Sequence, residues 1–498
     1  MNLPELLTYK DRNVHVVGLS SVEGAAVTRF LLRLGFSRLT AHDFSPEEDF
    51  ERQFMLVHVG LPRAERKALF DWLAAQPVQK RFGKQYLEGI EGADLIFATQ
   101  AWFIYRSNFP RLARAKEAGI PFSSITRLYF DLAPCPLAAV TGAHGKSTTS
   151  RILYEVLSHG LERRVYFAGN ERHSPPVLDR VLEMQPQDLL LLETSNRQLR
   201  GLERSPHLAV VTNVYPNHLD EHDSYEDYIA TKRSILEFQG PGDIAVLNRD
   251  NPITRLFEPA VRGRLLWFSK EPLGGLPGAS VEDGMVIYRD GEREARLGPA
   301  SELPLAGAHN LENALAAAAA GCALGVDPAR VWESLRGFRG IKHRLQYVRS
   351  INGVRFVDDL NSTTPSATLA ALGAIPEPVH LIVGGDEKGL DYSELARAIR
   401  ERVRTLLVMP GKGPEKILAE LEKLGAAGEN EAPLCRAFTS LEEAVEFAFR
   451  RAGPGETVLL SPACPYFYRM FYLDDTGDEE GFRTLVRNLA LRAAGEQQ

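Results

Sequence analysis

The sequence contains little cysteine. Its 498 residues include four cysteines, and their spacing is not that of a metal site. Disulfide-stabilised secreted proteins carry many more, so the four thiols are predicted to be reduced and to lie in a core or in loops. The low content favours a reducing compartment. The cysteines are Cys135, Cys322, Cys435 and Cys464.

An apolar run long enough to cross a bilayer is absent from the sequence. The longest nearly apolar stretch, residues 314–325, is too short and follows the polar residues Asn310 and Asn313. The first 18 residues carry charges throughout and lack the apolar segment of a signal peptide. These features predict a cytoplasmic protein with no membrane partner, in which residues 314–325 form a buried helix.

Charge of one sign is not in strong excess. The chain has 58 basic and 65 acidic residues, which gives a formal net charge of −7. This balance does not indicate a general nucleic-acid binder, although a local basic pocket for phosphates remains compatible with it. Apolar residues make up 44% of the chain, as is ordinary for a globular protein. We therefore predict no nucleic-acid partner.

The chain length argues for two to four domains. The first residues alternate between strand and helix patterns, with strands at 14–17, 38–42 and 94–98 and a helix at 23–34. Asp43 follows the second strand, and the arrangement is of the βαβ type. The spacing of Gly18 and Gly24 is not a full dinucleotide fingerprint, so a nucleotide contact and a plain tight turn both stay open.

The later parts of the chain alternate in the same way. Pro134 and Pro136 predict an extended linker. Strands follow at 137–141, 188–193, 208–212 and 243–247, helices at 146–158 and 225–237, and short β-hairpins within 265–303. A third unit has strands at 355–357, 379–383, 405–408 and 457–460 and helices at 365–375 and 441–450. The pattern predicts an α/β fold. Its three domains are predicted to span residues 1–134 (Rossmann-like), 135–337 (a parallel sheet) and 338–498 (Rossmann-like).

The strongest chemical signal is the segment TGAHGKSTT at residues 141–149. A predicted strand precedes it and a predicted helix follows it, which is the context of a phosphate-binding loop. Gly142 and Gly145 permit a bend that a side chain would block, and successive N–H groups bind anionic oxygens. Lys146 adds a positive charge for the β- and γ-phosphates, and the Ser147 hydroxyl suits Mg²⁺. The segment predicts a central sheet of the P-loop ATPase type; the alternative is an ordinary strand–turn–helix junction.

Further segments, with this loop, resemble the motifs of the Mur ligase superfamily, in the order of that family and over nearly the whole chain. The family motifs are E-x-S-S-x-Q-L, T-N-x-x-x-D/N-H-x-D, Y-x-x-x-K, G-x-H-N-x-x-N-A, H-R, G-G-x-x-K and L-S-P-A. The matching segments begin, in the same order, at Glu193, Thr212, Tyr228, Gly307, His343, Gly384 and Leu460. The last segment and the short N-terminal α/β domain are most like the glutamate-adding members.

The resemblance implies an ATP-dependent ligase of peptidoglycan precursor synthesis. The implied substrates are UDP-N-acetylmuramoyl-L-alanine and glutamate, with D-glutamate expected, and the implied cofactors are ATP and two Mg²⁺ ions. In the first step the substrate carboxylate attacks the γ-phosphorus of ATP. The amino group of the amino acid then displaces phosphate from the acyl phosphate. Catalysis of this reaction is mostly positioning and electrostatic stabilisation.

The resemblance also implies roles for individual residues. The residues implied to be catalytic are Lys146, His218 and Lys232. The implied metal ligands are Ser147, Glu193, His218 and a carbamylated Lys232. The implied ATP-binding residues are Gly142, Ala143, His144, Gly145, Lys146, Ser147, Thr148, Asn310, Asn313, Arg344 and Asp359. The implied substrate-binding residues are Asp43, Asn170, Thr363, Lys388, Ser461 and Tyr466.

Three of these roles leave alternatives open. Carbamylation of Lys232 requires a neutral amine and hence a lowered pKa; an uncarbamylated lysine in a salt bridge is the alternative. His218 is an unusual ligand for the hard ion Mg²⁺, so a structural histidine is its alternative, and Asp220 or His222 could take its role. Asn310 either reads the adenine edge or caps a helix.

The chain departs from the family pattern at the predicted substrate pockets. Asn361 stands where many members carry lysine, Tyr466 stands near the place of a serine, and residues 98–102 lack the usual S-P-G. Three other functions therefore stay open: a sister ligase that uses L-glutamate or another amino acid, a folylpolyglutamate synthase, and an inactive ATP-binding partner subunit. The N-terminal domain argues against the second, and the retained motif residues argue against the third.

Overall fold

The structure is a computed structural model of the chain. It describes residues 1–498 except 59, 100–108, 171–174, 217–220, 292, 305–306, 388, 426–432, 465–466, 468–480 and 496–498. The chain forms two compact units, Met1–Phe338 and Arg339–Gln498. Both units are α/β with mainly parallel strand pairs, which confirms the predicted fold class.

The first unit begins with a parallel sheet of five strands. The strands are β1 (Val14–Val17), β2 (Leu39–Asp43), β3 (Gln79–Phe82), β4 (Leu95–Phe97) and β5 (Phe122–Ser123). Their order in the sheet is β3-β2-β1-β4-β5. The helices around it are α1 (Leu3–Leu7), α2 (Val22–Arg33), α3 (Phe50–Val57), α4 (Arg63–Ala75), α5 (Pro110–Glu117) and α6 (Ile125–Leu132).

Close packing explains the second glycine of the β1–α2 turn. A Cβ on Gly24 would lie 2.0 Å from the carbonyl oxygen of Gly18, so a side chain has no room there. Gly18 itself has a φ of 89°, in the left-handed region that favours glycine. Steric demands of the turn therefore account for both glycines without a nucleotide.

Three buried histidines lie in this part of the unit. His15 Nδ1 and His42 Nε2 are 2.9 Å apart, and His58 Nε2 lies 3.2 Å from the carbonyl oxygen of Ser20. Burial, and after it the positive charge of His42, lowers the pKa of His15 to about 4. Burial also lowers the pKa of His58 to about 4. Both rings are therefore neutral at pH 7.

We expect these histidines to make the fold sensitive to acid. Between the pKa of about 4 in the folded state and about 6.5 in the unfolded chain, the unfolded chain binds more protons, so stability is lost as the pH falls. For each of His15 and His58 the free energy of unfolding should drop by about 2 kcal/mol between pH 7 and pH 4.5. Urea unfolding at stepped pH measures it. His15→Gln should show a weaker pH dependence of the free energy of unfolding than the wild type. Equal slopes for wild type and His15→Gln would contradict the expectation.

The first unit continues with a sheet of nine strands. They are β6 (Leu137–Thr141), β7 (Val165–Gly169), β8 (Leu189–Glu193), β9 (Leu208–Val211), β10 (Ile244–Asn248), β11 (Arg264–Ser269), β12 (Gly278–Glu282), β13 (Met285–Asp290) and β14 (Arg293–Pro299). The order is β14-β13-β12-β11-β10-β9-β6-β8-β7. The pairs from β7 to β12 are parallel, and β13 and β14 are antiparallel. The predicted hairpins within residues 265–303 are confirmed for β12–β14. They are wrong for β11, which extends the parallel sheet.

Small residues allow two helices of this part to pack closely. The helices are α7 (Lys146–Gly160), α8 (Asn196–Leu199), α9 (Tyr225–Glu237), α10 (Pro252–Arg255), α11 (Ala308–Ala323) and α12 (Pro328–Gly337). In α11, residues 314–320 are all buried. A Cβ on Gly321 would lie 2.5 Å from Cγ1 of Val156 in α7. The apolar run is therefore a buried helix, as predicted, and its small side chains bring α11 against α7.

The second unit contains a six-stranded sheet. Its strands are β15 (Gln346–Ile351), β16 (Val354–Asp358), β17 (Val379–Gly384), β18 (Val403–Val408), β19 (Leu434–Ala437) and β20 (Thr457–Ala463). Their order is β15-β16-β20-β17-β18-β19, and only β15 is antiparallel to its neighbour among the described pairs. The helices are α13 (Pro365–Ala374), α14 (Ser393–Arg402), α15 (Lys412–Leu424), α16 (Leu441–Arg451) and α17 (Gly481–Gly495).

The division into three domains stays a prediction. The first unit contains two separate sheets, one on each side of the predicted boundary at residue 134. Among the described residues, every helix is too short or too polar to span a membrane.

Candidate active site

The candidate active site lies at the carboxyl ends of β6, β8 and β9, with β6 between the other two. Ligands of parallel α/β sheets bind at this edge, because the loops and helix N-termini that follow the strands meet there. β6 ends at Thr141 and α7 begins at Lys146. Residues 142–145 therefore form the predicted loop between a strand and a helix.

Two glycines give this loop its shape. Gly142 has a φ of 150° and Gly145 a φ of 80°. A Cβ on Gly142 would lie 1.9 Å from Oγ1 of Thr212, and a Cβ on Gly145 would lie 2.2 Å from Oδ1 of Asn313. Gly145 is also the N-cap of α7, and no described side chain caps that helix. The first turn of α7 is thus a place where an anion can bind.

Residues after β9 hold the loop in place. The backbone N–H of Ala143 donates to the carbonyl oxygen of Asn213 (2.9 Å), and the backbone N–H of His144 donates to Oδ1 of Asn213 (2.9 Å). The Thr212 hydroxyl donates to the carbonyl oxygen of His144 at 2.6 Å. The amides of Ala143 and His144 therefore serve loop structure, and an anion would meet the amides at the start of α7.

Lys146 lies over its own loop. Its Nζ donates to the carbonyl oxygens of Gly142 (3.0 Å) and Ala143 (3.1 Å). These bonds keep the ammonium group at the N-terminus of α7, beside the first-turn amides. Ser147 and Thr148 follow in the same turn and are half-buried. The arrangement combines a point charge, helix amides and hydroxyls, which are the groups that bind a polyphosphate.

Lys232 is buried beneath the loop. It lies on α9, is 1% exposed, and donates from Nζ to Oγ1 of Thr141 at 3.1 Å. Burial lowers the pKa of its amine well below the ordinary value, and the positive charge of Lys146 lowers it further, against the opposing effect of Glu193. A neutral amine is a nucleophile, whereas an ammonium ion is not. The condition for carbamylation, a depressed pKa, is therefore present.

Glu193 ends β8 at the same edge and is 1% exposed. Its Oε1 accepts a hydrogen bond from Nδ2 of Asn170 at 3.3 Å. Its Oε2 is buried and has no hydrogen-bond partner among the described residues. A buried carboxylate oxygen without a partner costs free energy unless a cation or a donor compensates it. Asn170, predicted to bind substrate, thus contacts this carboxylate.

The donors at this edge fit Mg²⁺. Hard cations prefer oxygen ligands, and Mg²⁺ commonly takes one or two from the protein and the rest from phosphates and water. The unpartnered oxygen of Glu193 and the hydroxyl of Ser147 are oxygen donors of this kind. In the described part of the chain, no group of three or more His, Cys, Asp or Glu side chains could hold a metal. A cation here would therefore depend on phosphate oxygens for much of its coordination.

The start of α11 contacts the phosphate-loop helix. Oδ1 of Asn313 accepts a hydrogen bond from the Thr149 hydroxyl at 3.2 Å, and its Nδ2 donates to Oδ1 of Asn310 at 3.4 Å. Nearby, Glu312 accepts from Nδ2 of Asn248 at 3.1 Å and also from Lys270. Asn313 therefore joins α11 to α7, and Glu312 and Asn248 are site neighbours that the sequence did not single out.

Asp43 lies at the carboxyl edge of the N-terminal sheet. It is 2% exposed, and its two oxygens accept hydrogen bonds from the backbone N–H groups of Ser20 and Ser45. The carboxylate thus joins the β1–α2 loop to the end of β2. Phe44, the next residue, has a 70% exposed ring at the same edge.

The second unit contains a separate group of predicted site residues. Asp359 is buried, and it accepts hydrogen bonds from Oγ of Ser461 (2.8 Å) and from the backbone N–H of Leu345 (3.0 Å). Burial raises its pKa to about 6, against hydrogen bonds and the charge of Arg344, which lower it. Ser461 is fully buried, whereas Arg344 and Thr363 are exposed. The hydrogen bond between the buried side chains of Asp359 and Ser461 stabilises the fold. Arg344 and Thr363 are exposed and can contact a ligand.

Several predicted residues lie outside the described part of the chain. These are His218, Lys388 and Tyr466, together with Asp220. Their roles stay predictions. His222 is described, and both of its ring nitrogens are engaged: Nε2 with Asn196 and Nδ1 with Asp227. These contacts favour a structural role for His222.

Comparison with known proteins identifies the family. Residues 140–321 match the Mur ligase middle domain, and residues 343–464 match the Mur ligase glutamate ligase domain. The chain belongs to the Mur ligase family.

Its curated relatives include two proteins named UDP-N-acetylmuramoylalanine–D-glutamate ligase. The one from Acetivibrio thermocellus is 34% identical over 96% of this chain and 97% of its own length. The one from Symbiobacterium thermophilum is 37% identical over 95% of this chain and 98% of its own length.

Among solved structures, the fold resembles that of the UDP-N-acetylmuramate-alanine ligase MurC from Thermotoga maritima. The TM-score is 0.61 at 18% identity, and the match covers 97% of this chain and all of the other. The MurF ligase of the same organism, solved in complex with ADP, gives a TM-score of 0.52 at 19% identity, and the match covers 87% of this chain and 93% of the other.

Proposed function

We propose that this chain joins D-glutamate to UDP-N-acetylmuramoyl-L-alanine at the expense of ATP, in peptidoglycan precursor synthesis. The observation that carries the proposal is the loop before α7, where Lys146 lies at an uncapped helix N-terminus. The names of the near-full-length relatives support the choice of substrates.

The phosphates of ATP are proposed to bind at the start of α7. The amides of residues 145–148 point their N–H groups at anionic oxygens, and Lys146 exchanges its carbonyl partners for phosphate oxygens. Ala143 and His144 act by fixing the loop, because their amides already donate to Asn213. Asn310 is proposed to contact adenine, and Asn313 holds α11 against the loop. Arg344 and Asp359 are proposed to contact ATP from the second unit.

In the first step, the substrate carboxylate attacks the γ-phosphorus of ATP, forms an acyl phosphate and releases ADP. Lys146 stabilises the negative charge that spreads over the transferring phosphoryl group. Ser147, Glu193, His218 and Lys232 are proposed to hold two Mg²⁺ ions, with Lys232 as its carbamate. Bound Mg²⁺ supplies additional neutralisation of phosphate charge.

In the second step, the neutral amino group of glutamate attacks the acyl phosphate and phosphate leaves. Lys388, Thr363, Ser461 and Tyr466 are proposed to bind the glutamate, although burial of Ser461 makes its role one of support. Asp43 is proposed to bind the UDP-linked substrate by ordering the loop at Ser20. Asn170, which donates to Glu193, is also proposed to bind the substrate.

We expect phosphate release only when both carbon substrates and ATP are present. Each acyl phosphate is consumed by the amine, so omission of either UDP-N-acetylmuramoyl-L-alanine or glutamate should remove multiple turnover. The assay is run with D-glutamate and L-glutamate in parallel, because the departures at Asn361 and Tyr466 concern the amino-acid pocket. Release with D-glutamate alone supports the proposal, release with L-glutamate alone points to a sister ligase, and no release with either rejects both.

A further inference from the structure

A buried network of polar side chains lies between the turn after Glu193 and the helix that carries Lys232. At its centre is His222, whose side chain is fully buried. Nδ2 of Asn196, in α8, lies 3.0 Å from His222 Nε2. His222 Nδ1 lies 2.8 Å from Oδ2 of Asp227, in the first turn of α9. A single imidazole therefore connects α9, which carries Lys232, with the short helix that follows Glu193.

Three side chains contact the two ring nitrogens of His222. The amide nitrogen of Asn196 is a donor, so Nε2 of the histidine accepts. Nδ1 faces both Asp227 and Nη1 of Arg200, which lies 3.1 Å from it, and Arg200 also donates to Asp227 at 2.7 Å. Burial lowers the pKa of His222, against the carboxylate of Asp227, which raises it. Each ring nitrogen therefore has a polar side chain against it.

The contacts of His222 extend to the catalytic lysine. Its ring meets the ring of Tyr228 edge-on, with centroids 5.1 Å apart. Nζ of Lys232, one helical turn further along α9, lies 5.6 Å from the centroid of that same Tyr228 ring. Asp227 and Tyr228 are consecutive residues of α9. His222 therefore contacts α9 twice, through a hydrogen bond and through the ring against which the lysine lies.

The other side of His222 is tied to β8. Asn196 follows Glu193 by three residues and lies in the short helix α8. The start of α8 is fixed by Ser195, whose side chain accepts from the N–H of Gln198 while the Gln198 side chain accepts from Ser195 N–H. A shift of α8 relative to α9 would break the contact between Asn196 and His222. The contact therefore links the segment after Glu193 to the helix that carries Lys232.

We propose that His222 is a positioning residue that holds α9, and with it the Lys232 amine, in place relative to Glu193. Its hydrogen bond to Asp227 sets the position of the helix, and its bond to Asn196 ties that helix to the end of β8. The proposal rests on the proposed function only for the catalytic importance of Lys232. His222 itself touches neither substrate nor ATP in this scheme.

The test compares three substitutions of His222. His222→Asn keeps a donor near the position of Nδ1 for Asp227, His222→Gln keeps an acceptor near the position of Nε2 for Asn196, and His222→Ala keeps neither. We expect kcat to fall about 10–100-fold in His222→Ala, and by less in His222→Asn and His222→Gln, each of which keeps one of the two contacts. KM for ATP should stay within about twofold, since the phosphate loop is unchanged. The matched control is His207→Asn, at a partly exposed histidine that pairs with Asp243.

A spectroscopic measurement separates positioning from general loss of structure. Wild type and variants are incubated with ¹³C-bicarbonate, and the carbamate carbon of Lys232 is followed by NMR, with Lys232→Arg as the blank. We expect a weaker carbamate signal in His222→Ala at low bicarbonate, restored at high bicarbonate, and a wild-type signal in His207→Asn. Wild-type kcat and carbamate signal in both His222→Ala and His222→Gln would overturn the proposal. Equal losses in His222→Asn and His222→Ala would do so as well.

The outcome is distinguishable from failure of the proposed function. If wild type shows no phosphate release with either glutamate, the proposed function is rejected, while the carbamate signal still reports the position of Lys232. If wild type is active and the variants behave like wild type, only the role of His222 is rejected.

Discussion

Replacement of Lys146 by alanine is expected to lower kcat by roughly 10³-fold, which corresponds to about 4 kcal/mol of transition-state stabilisation. The ammonium group lies at the uncapped N-terminus of α7 and has carbonyl oxygens of its own loop as hydrogen-bond partners. When ATP is bound, the phosphates offer a stronger, charged partner. Loss of the group removes a positive charge at the place where negative charge develops.

The same substitution should also affect Lys232. The charge of Lys146 is the second cause of the lowered pKa of Lys232, after burial. Without it, the Lys232 amine becomes more basic and less of it is neutral at a given pH. We therefore expect Lys146→Ala to need more bicarbonate for full carbamylation. This effect shows in the ¹³C NMR signal, independently of turnover.

The fold should survive this substitution, and circular dichroism with thermal unfolding checks that it does. The control is Lys67→Ala, at an exposed lysine of the first unit that pairs with Asp71. It should leave kcat and the unfolding temperature unchanged. An Lys146→Ala enzyme with more than a tenth of wild-type kcat would reject the phosphate-loop interpretation.

Central elements of the fold are predictable from sequence, because their pattern is strong. The sequence predicts β6 with the bounds Leu137–Thr141, because all five residues are apolar or small, and in the structure all five are buried. α9 was predicted as Tyr225–Glu237; Ser224 caps it, and Glu226 and Asp227 are acidic residues in its first turn. Local signals such as these require no knowledge of the tertiary structure.

Strands at sheet edges were harder to predict. β7, β15 and β19 each form the edge of a sheet, and none of them was predicted. All four residues of β19 are exposed, so its sequence has no alternation of buried and exposed positions. An edge strand pairs on one side only, and its burial depends on neighbours that are distant in sequence.

In the candidate site, too, residues in sequence motifs are predictable, whereas residues that act through the tertiary structure are not. Lys146, Glu193 and Lys232 were identified from motifs, and the structure places all three at or beneath one edge of the central sheet. The structural roles of Asn213 and His222 were not identified. Asn213 bonds to His144 of the phosphate loop, 69 residues earlier in the chain, and His222 bonds to Asn196 and Asp227. No pattern in the sequence indicates such partners. The buried, unpartnered oxygen of Glu193 likewise emerges only from packing.

Replacement of Lys232 is expected to be the most informative test of the metal site. We expect Lys232→Ala to lose roughly 10²–10³-fold in kcat, as expected for removal of an anionic ligand that organises transition-state charge. The side chain is 1% exposed, so its removal leaves a polar cavity beside Thr141 and near Glu193. A small carboxylate such as acetate or propionate could occupy that cavity and supply the missing anionic oxygens.

Rescue of Lys232→Ala by such a carboxylate distinguishes the two interpretations of the lysine. If the native group is a carbamate, added propionate restores part of kcat, because it replaces a negative charge with a negative charge. If the native group is an uncarbamylated ammonium ion in a salt bridge with Glu193, a carboxylate adds repulsion, and only a small amine such as methylamine restores activity. The same contrast holds for wild type in carbon-dioxide-depleted buffer, where activity should fall and return with bicarbonate. Rescue by methylamine alone would reject the carbamate. It would leave Glu193 as the anionic ligand whose charge Lys232 balances.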